Sequence, residues 1–372
     1  MKAIIVILAL VTAVVIILWC LPAFGANPYL RKSGAFNFSP NYRRGKFVNV
    51  KPARMQGGGN IAWAILTGRV KKHPQSRPPH PLKVDRLDRT YLQTDQRSQA
   101  IWLGHSTLLL RMAGQLLLLD PMLGQIPSPL PPLGGRRYSR GVPVNTADLP
   151  FIDAVLVSHD HYDHLDYGTI RKFRNRVGQF FVPLGVGSHL ERWGIPPAKI
   201  NECDWWEEVE YGSLRFTCTP ARHFSGRTLN SRNSTLWCSW VIIGPDARVF
   251  FSGDGGYGSH FKQIGDKYGP FDLTLMECGQ YDKLWSAIHM TPEQTVEAHI
   301  DVRGKVLLPI HWAAFTLALH SWTDPIERVT QAAAVKNQQV TTPHIGQPVI
   351  IGDPDYPCSV WWREYMQKEE KG

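Results

Sequence analysis

Between Ser158 and His164 the chain reads Ser-His-Asp-His-Tyr-Asp-His, a stretch in which three imidazoles and two carboxylates fall within six positions. His159 and His161 are two residues apart, so in an extended loop they point the same way and can grip one ion. Asp163 and His164 follow at once and can turn toward a second. Neutral imidazole combined with carboxylate suits zinc or a similar borderline metal, with bonds of about 2.0–2.2 Å. The cluster follows the apolar run Ala154–Val157, and a histidine cluster at a strand end reads as metal binding rather than as a polar surface turn.

One cluster cannot complete two coordination spheres, so further ligands are expected downstream. His223 follows the strand-like run Leu214–Thr217, Asp254 follows Arg248–Ser252, and His311 follows Val306–Pro309. Any one of them alone would read as a satisfied core residue; their shared position just past an apolar strand is what carries weight. Gly253–Gly256 lacks a following Lys-Ser/Thr, so it reads as a turn that lets Asp254 approach a metal, not as a phosphate loop. No Gly-x-Ser-x-Gly elbow is present.

His159-Asp160-His161-Tyr162-Asp163-His164 resembles the HxHxDH motif of the metallo-β-lactamase superfamily, and His223, Asp254 and His311 follow in that family's order. The resemblance implies an α/β fold, a four-layer αββα sandwich. It extends to the branch of N-acyl-phosphatidylethanolamine phospholipase D and its bacterial relatives, over roughly residues 100–350. The stretches that carry it are Trp102-Leu103-Gly104-His105-Ser106-Thr107, Asp120-Pro121, Thr217 through His223, Arg227-Thr228-Leu229 through Leu236-Trp237, Phe251-Ser252-Gly253-Asp254, His289 and Ile310-His311-Trp312.

Carried over residue by residue, the resemblance implies two zinc ions, with iron or manganese also fitting. His159, His161 and His223 would hold one; Asp163, His164 and His311 would hold the other; Asp254 would bridge them. A hydroxide between two such cations is a nucleophile at neutral pH, which makes Asp163 and Asp254 catalytic as well as ligating. His289 would contact substrate or shuttle a proton. Asp120 would orient a metal histidine, against a simple turn role before Pro121. His105, near the start of the first hairpin, reads as simple packing slightly ahead of a role at the edge of the site. Trp312, Phe315 and Trp322 read as core, with the lining of an acyl groove as the alternative. The implied activity is phospholipase D-type hydrolysis of (N-acyl)phosphatidylethanolamine-like lipids. The alternatives are a soluble lactone, amide or phosphodiester substrate and, third, a non-catalytic metal-binding protein.

These residues need a scaffold. Strands are expected over Ile101–Leu110, Gln115–Leu119, Ala154–Val157, Phe180–Pro183, Leu214–Thr217, Leu236–Ile243, Arg248–Ser252, Leu273–Met276 and Val306–Pro309. Helices are expected over Tyr167–Phe173, Gly187–Trp193, Thr291–His299 and Pro325–Lys336. Strands alternate with helices, but the first ones form hairpins, which argues a layered α/β body with much antiparallel pairing. The expected division is an anchor or signal segment over 1–26, a basic loop-rich arm over 27–99 with a short helix at Ile61–Leu66, and a catalytic domain over 100–372.

Composition agrees with a folded body. With 372 residues, 43% hydrophobic and 19% charged, the chain is neither disordered nor polytopic. Six scattered cysteines without a CxxC argue against a disulfide scaffold or a zinc finger. The net charge of +10 is uneven: residues 27–100 carry 15 Lys and Arg against 3 acids, while residues 101–372 carry 25 against 28. A basic arm beside an apolar segment reads as a contact for an anionic membrane surface, or else as a solvated linker, and no nucleic acid is expected. Ala3–Phe24 holds no charge and is long enough to span a bilayer, although Ala23-Phe24-Gly25-Ala26 resembles a signal cleavage site. The expected location is the bacterial inner membrane. Basic residues after the segment place the body in the cytoplasm, a cleaved signal places it in the periplasm, and a homodimer stays open.

Overall fold

The structure is a computed structural model that describes residues 20–26, 34, 36–53, 71–130, 134–228 and 230–366. Most of the expected apolar span and the helix expected at Ile61–Leu66 lie outside them. Among the described residues no helix is long and apolar enough to cross a membrane.

Sixteen strands are seen among the described residues. Tyr42–Arg43 (β1) and Lys46–Phe47 (β2) form a small hairpin. The first large sheet comprises Gln99–Trp102 (β3), Leu108–Met112 (β4), Gln115–Leu119 (β5), Ile152–Leu156 (β6), Val177–Pro183 (β7) and Ile200–Cys203 (β8). The second comprises Glu208–Tyr211 (β9), Leu214–Thr219 (β10), Ser239–Ile243 (β11), Arg248–Phe251 (β12), Phe271–Glu277 (β13), Gly304–Ile310 (β14) and Gln339–Val340 (β15). Pro348–Ile350 (β16) closes the first sheet, whose order is β16-β3-β4-β5-β6-β7-β8; the second runs β15-β14-β13-β12-β11-β10-β9. Each sheet is antiparallel at one end and parallel at the other: β5 through β8 and β12 through β15 pair in parallel. The expected mixture of hairpins and crossovers is therefore present in both halves.

Alternation along the strands explains the layers. Leu108, Leu110, Leu117, Leu119, Ala154 and Leu156 face the second sheet and join Phe216, Trp240, Phe250 and Leu273 in one core. Their neighbours Leu109, Leu116, Leu118, Val155 and Val157 face outward, where Ile170, Phe173 and Leu190 cover them. With side chains buried on both faces, these strands read as continuous apolar runs. Helices Tyr167–Phe173 and Gly187–Arg192 cover the first sheet; Phe261, Val296, Ile326 and Val329, from helices His260–Tyr268, Pro292–Asp301 and Asp324–Val335, add to the core of the second. The result is an αββα sandwich. All six cysteines are free.

Four expectations change. Ile101–Leu110 is not one strand: β3 ends at Trp102, the chain turns at Gly104-His105, and β4 starts at Leu108 and pairs back on β3 antiparallel. Leu236–Cys238 do not extend β11: Leu236 donates its N–H to Leu184 and Cys238 to Ser158, so this stretch bridges to the first sheet. Residues 21–24, expected within the apolar span, do not continue a helix of that length. Leu21, preceding Pro22, is extended, and Pro22–Phe24 makes one turn of 3₁₀ helix seated on the body. There the Trp193 indole donates to Pro22 O at 2.8 Å, the Arg227 guanidinium to Ala23 O at 2.7 Å, and Ala26 N donates to His189 Nδ1 at 2.9 Å. Finally, the basic arm contributes to the core. Phe47 is fully buried, its ring 5.3 Å from Phe36 and 4.9 Å from Tyr42, and its N–H donates to Asn233 O.

Removing a wholly buried aromatic ring costs about 3–5 kcal/mol. Phe47→Ala should therefore destabilise the whole body by about that amount, read as one cooperative transition at lower denaturant by tryptophan fluorescence. An unchanged midpoint would mean that the arm is only loosely applied.

Candidate metal centre

Parallel pairing aims successive strand ends at one edge of a sheet, and the two sheets bring two such edges together. Asp120 follows β5, Ser158 and His159 follow β6, Asp254 follows β12, Glu277 ends β13 and His311 follows β14. His223 comes from the turn after β10. Sharp turns aim several of them: His105, Asp120 and His311 have positive φ (58°, 41° and 67°). Gly253 (φ 56°) is held to glycine by space as well, since a Cβ there would lie 2.6 Å from Ser158 Cβ and 2.8 Å from Cys238 O.

All seven residues expected to ligate metal converge. His159, His161 and His223 present ring nitrogens within 4.8 Å of one another, and a carboxylate oxygen of Asp163 lies equally close to ring nitrogens of His164, His311 and His105. Asp254 stands between the groups: one carboxylate oxygen is 3.1 Å from His164 Nε2 and 3.9 Å from both His159 Nε2 and His223 Nε2, and the other is 3.2 Å from His311 Nδ1.

The surrounding shell fixes which nitrogen faces inward. His223 Nδ1 donates to Ile288 O at 2.9 Å, which turns the Nε2 lone pair to the centre. His164 Nδ1 meets Asp120 Oδ2 at 2.6 Å, so its Nε2 also faces in. Asp120 further accepts from Ser158 N (2.7 Å) and Ser158 Oγ (2.6 Å), and Ser158 Oγ meets His159 Nδ1 at 2.9 Å. Asp120 thus sits behind both histidine groups, and its carboxylate is wholly buried. His105 is also wholly buried, its Nε2 2.9 Å from Asp163 Oδ2. His289 lies beside the centre, its ring 5.2 Å from that of His223 and 5.3 Å from that of His311. Trp312, Phe315 and Trp322 are buried core residues.

Reasoning from the sequence missed three contributors. Glu277 is fully buried, meets His289 Nδ1 at 3.2 Å, and accepts from Met290 N and Gly255 N. It is a polar residue ending an apolar strand, so the rule that found Asp254 would have found it. Ser106 Oγ lies 3.0 Å from His311 Nδ1, inside a quoted stretch whose serine had been given no role. Asn49 clamps His223 from the arm: its amide donates to His223 O at 2.8 Å and accepts from His223 N at 3.1 Å. A single Asn over a hundred residues away carries no local signal.

Electrostatics favour a cation here. Burial drives His159, His223 and His311 well below the usual histidine pKa, which leaves them neutral, as ligands must be. Burial opposes the charge of His164, but Asp254, Asp163 and Asp120 outweigh it and raise its pKa well above the usual value. Burial also opposes ionisation of Asp163 and Asp254, yet His164 beside them holds both well below the usual range. Burial pushes the Glu277 carboxyl up to about 7, and Glu277 in turn raises His289 against its own burial. Two buried atoms, His164 Nε2 and Asp254 Oδ1, make no well-aligned hydrogen bond among the described residues, although each lies within 3.2 Å of an ion-pair partner. Such orphans are costly in a dry site. Their position between two sets of imidazole and carboxylate donors fits divalent metal.

Comparison with known proteins agrees with this geometry. Residues 116–312 match the family described as "Beta-lactamase superfamily domain", and the chain belongs to it, as a metal-dependent hydrolase of the metallo-β-lactamase fold. An uncharacterized protein of Mycobacterium tuberculosis is 44% identical over 336 residues, which is 87% of this chain and 88% of that protein. The N-acyl-phosphatidylethanolamine-hydrolyzing phospholipase D 1 of Caenorhabditis elegans is 36% identical over 230 residues, 59% of this chain and 64% of the worm protein. Among solved structures, the metallo hydrolase Igni18 of Ignicoccus hospitalis superposes with a TM-score of 0.53 at 20% identity, covering 68% of this chain and 97% of Igni18.

Asp120→Asn keeps the shape of the side chain but weakens its hold on His164 and Ser158. Loss of such an outer partner typically costs 10–100-fold in metal affinity, and a chelator competition should show about that loss for zinc. In the metal-free protein the carboxylates keep a proton on His164 that a cation must displace. Metal affinity should therefore rise with pH across the neutral range, with proton release on loading measurable by indicator dye. Affinity that is flat with pH would contradict this assignment.

Proposed function

We propose that the protein is a membrane-attached, dinuclear-metal phosphodiesterase that hydrolyses (N-acyl)phosphatidylethanolamine-like lipids in the manner of a phospholipase D. The single observation behind the two-metal reading is the position of Asp254, between His159, His161 and His223 on one side and Asp163, His164 and His311 on the other. These seven residues would hold two divalent cations, zinc first among them, with iron or manganese as alternatives. When bound, such a pair lowers the pKa of water from 15.7 toward about 7 and offsets charge that builds on a phosphoryl group.

The chain's own residues supply the rest. Asp120 and the Ile288 carbonyl keep His164 and His223 in the tautomer that leaves the inward nitrogen free. Asn49 fixes the backbone of His223. His289, 12% exposed where its neighbours His223 and His311 are almost wholly buried, is positioned to meet substrate. Glu277 stabilises its protonated form, so His289 can give a proton to the departing alcohol. The reaction balances simply: the water oxygen ends on phosphorus, the P–O bond to the head group breaks, and the leaving N-acylethanolamine takes the proton. Phosphatidate remains.

The lipid reading rests on the worm relative's named activity and on the apolar segment and basic arm of this chain. Full-length protein loaded with zinc should release N-acylethanolamine from detergent-dispersed N-acyl-phosphatidylethanolamine. Turnover confined to soluble lactones, amides or diesters would replace this substrate with one of those. Asp254→Asn should lower kcat by at least about 10³-fold with the fold intact by circular dichroism. His289→Gln should lower kcat by about 10²–10⁴-fold without loss of metal. Full activity in Asp254→Asn would refute the two-metal mechanism.

A further inference from the structure

The arm meets the body along a seam. Leu82 N donates to Tyr138 O, the Tyr138 hydroxyl donates to Ser76 O at 2.9 Å, and Leu82 pairs with Ser139 as an isolated bridge. This zipper leaves an open groove of about 470 Å³ walled by Pro78-Pro79-His80-Pro81 on one side and residues 136–140 on the other. Four arginines line it: Arg77, Arg136, Arg137 and Arg140. The lining contains no aspartate or glutamate, and none of the four forms an ion pair among the described residues.

Like charges gathered in one groove repel, and an anion bound among them relieves the repulsion that solvent screening leaves. Two of the arginines are held in place. Arg77 donates to Arg136 O at 3.1 Å and lies over the Tyr138 ring. Arg137 is buried at the groove floor, where it donates to Met122 O (2.6 Å) and Gly124 O (3.2 Å) but meets no carboxylate. Arg136 and Arg140 are exposed and free to reach a ligand.

The groove does not end with the arginines. Arg77 and Pro79 are shared with an adjoining hollow of about 250 Å³, bordered by Trp322, Tyr365 and Met366. Met366 is 48% exposed there. A cationic trough that runs into an aromatic and thioether wall matches an amphiphile with an anionic head. It also abuts the metal centre. The Arg137 guanidinium stacks on Phe315 at 4.7 Å, and that ring is 5.2 Å from His105. Gly104, next to His105, could not carry a side chain without pressing on Arg137, whose Nη1 lies 3.1 Å from where the Cβ would be.

We propose that this arm–body groove binds the phosphate head of an anionic membrane phospholipid, with the lipid's apolar part against Tyr365 and Met366. The lipid is a bound partner at the membrane surface and is not the molecule being cleaved. The proposal deepens the lipid reading above and rests on it, yet the two fail separately.

The test uses the full chain in neutral-detergent micelles, titrated with phosphatidylglycerol or phosphatidylcholine and read by native mass spectrometry. Phosphatidylglycerol should bind in preference to phosphatidylcholine. A charge-assisted arginine–phosphate contact is worth at least about fivefold in affinity, so Arg136→Glu with Arg140→Glu should weaken phosphatidylglycerol binding about 30-fold or more. Met366→Glu should weaken it through the other end of the groove. Equal binding of the two lipids, or unchanged affinity in the double variant, would overturn the proposal. So would inorganic phosphate binding at the same arginines without any preference for lipid. Hydrolysis of N-acyl-phosphatidylethanolamine in the same micelles separates the two readings. Turnover without groove binding sinks only the groove, and groove binding without turnover sinks only the substrate.

Discussion

Asp254 is 3% exposed and surrounded by imidazoles, with Asp163, Asp120 and Glu277 in the same dry volume. Burying an ionised carboxylate without compensation costs several kcal/mol, so Asp163 and Asp254 need positive charge beside them, while burial raises the pKa of the Asp120 and Glu277 carboxyls. A proton on His164 supplies part of that charge in the metal-free chain, and divalent cations supply it fully. Much of the architecture answers this constraint. Parallel strands deliver Asp120, His159, Asp254, Glu277 and His311 to adjoining sheet edges, and left-handed turns aim His105, Asp120 and His311 inward. Outside the ring, Ser158, Ser106, Asn49 and backbone carbonyls take up the remaining polar atoms.

The same constraint explains why the arm and the body are one folded unit where they are described. Asn49 reaches across to hold both backbone groups of His223, and Phe47 anchors that segment in the core. Pro22–Ala26 sit against Trp193, His189 and Arg227, and Arg227 donates in turn to the carbonyls of Asp160, within the histidine loop, and Leu165, just after it. Segments distant in sequence therefore reach the centre through single side chains. What looks like a linker by composition acts as an outer wall of the site.

Much of this was legible in the residues alone. His159 through His164 announced itself by density, and His223, Asp254 and His311 by their place after apolar runs, because a buried strand and the polar residue that ends it leave a local signature. Asp120 was legible as a strand-end acid, but whether it acted as a turn or a brace depended on where His164 and Ser158 came to lie. Glu277 obeyed the same rule as Asp254 and was passed over. Asn49 and the arginines of the arm–body groove were beyond sequence reasoning, since their partners lie tens to hundreds of residues away and only the fold brings them together. The over-long apolar span and the over-long strand at Leu236 share one cause: hydropathy records burial and does not say which element does the burying.

The central claim is that two cations flank the Asp254 carboxylate. Anomalous diffraction from crystals of the metal-loaded protein tests it most directly. The account predicts two peaks roughly 3.5–4 Å apart, one among His159, His161 and His223 and one among Asp163, His164 and His311, as is usual for paired hydrolytic metals. A single peak, or peaks away from Asp254, would contradict it.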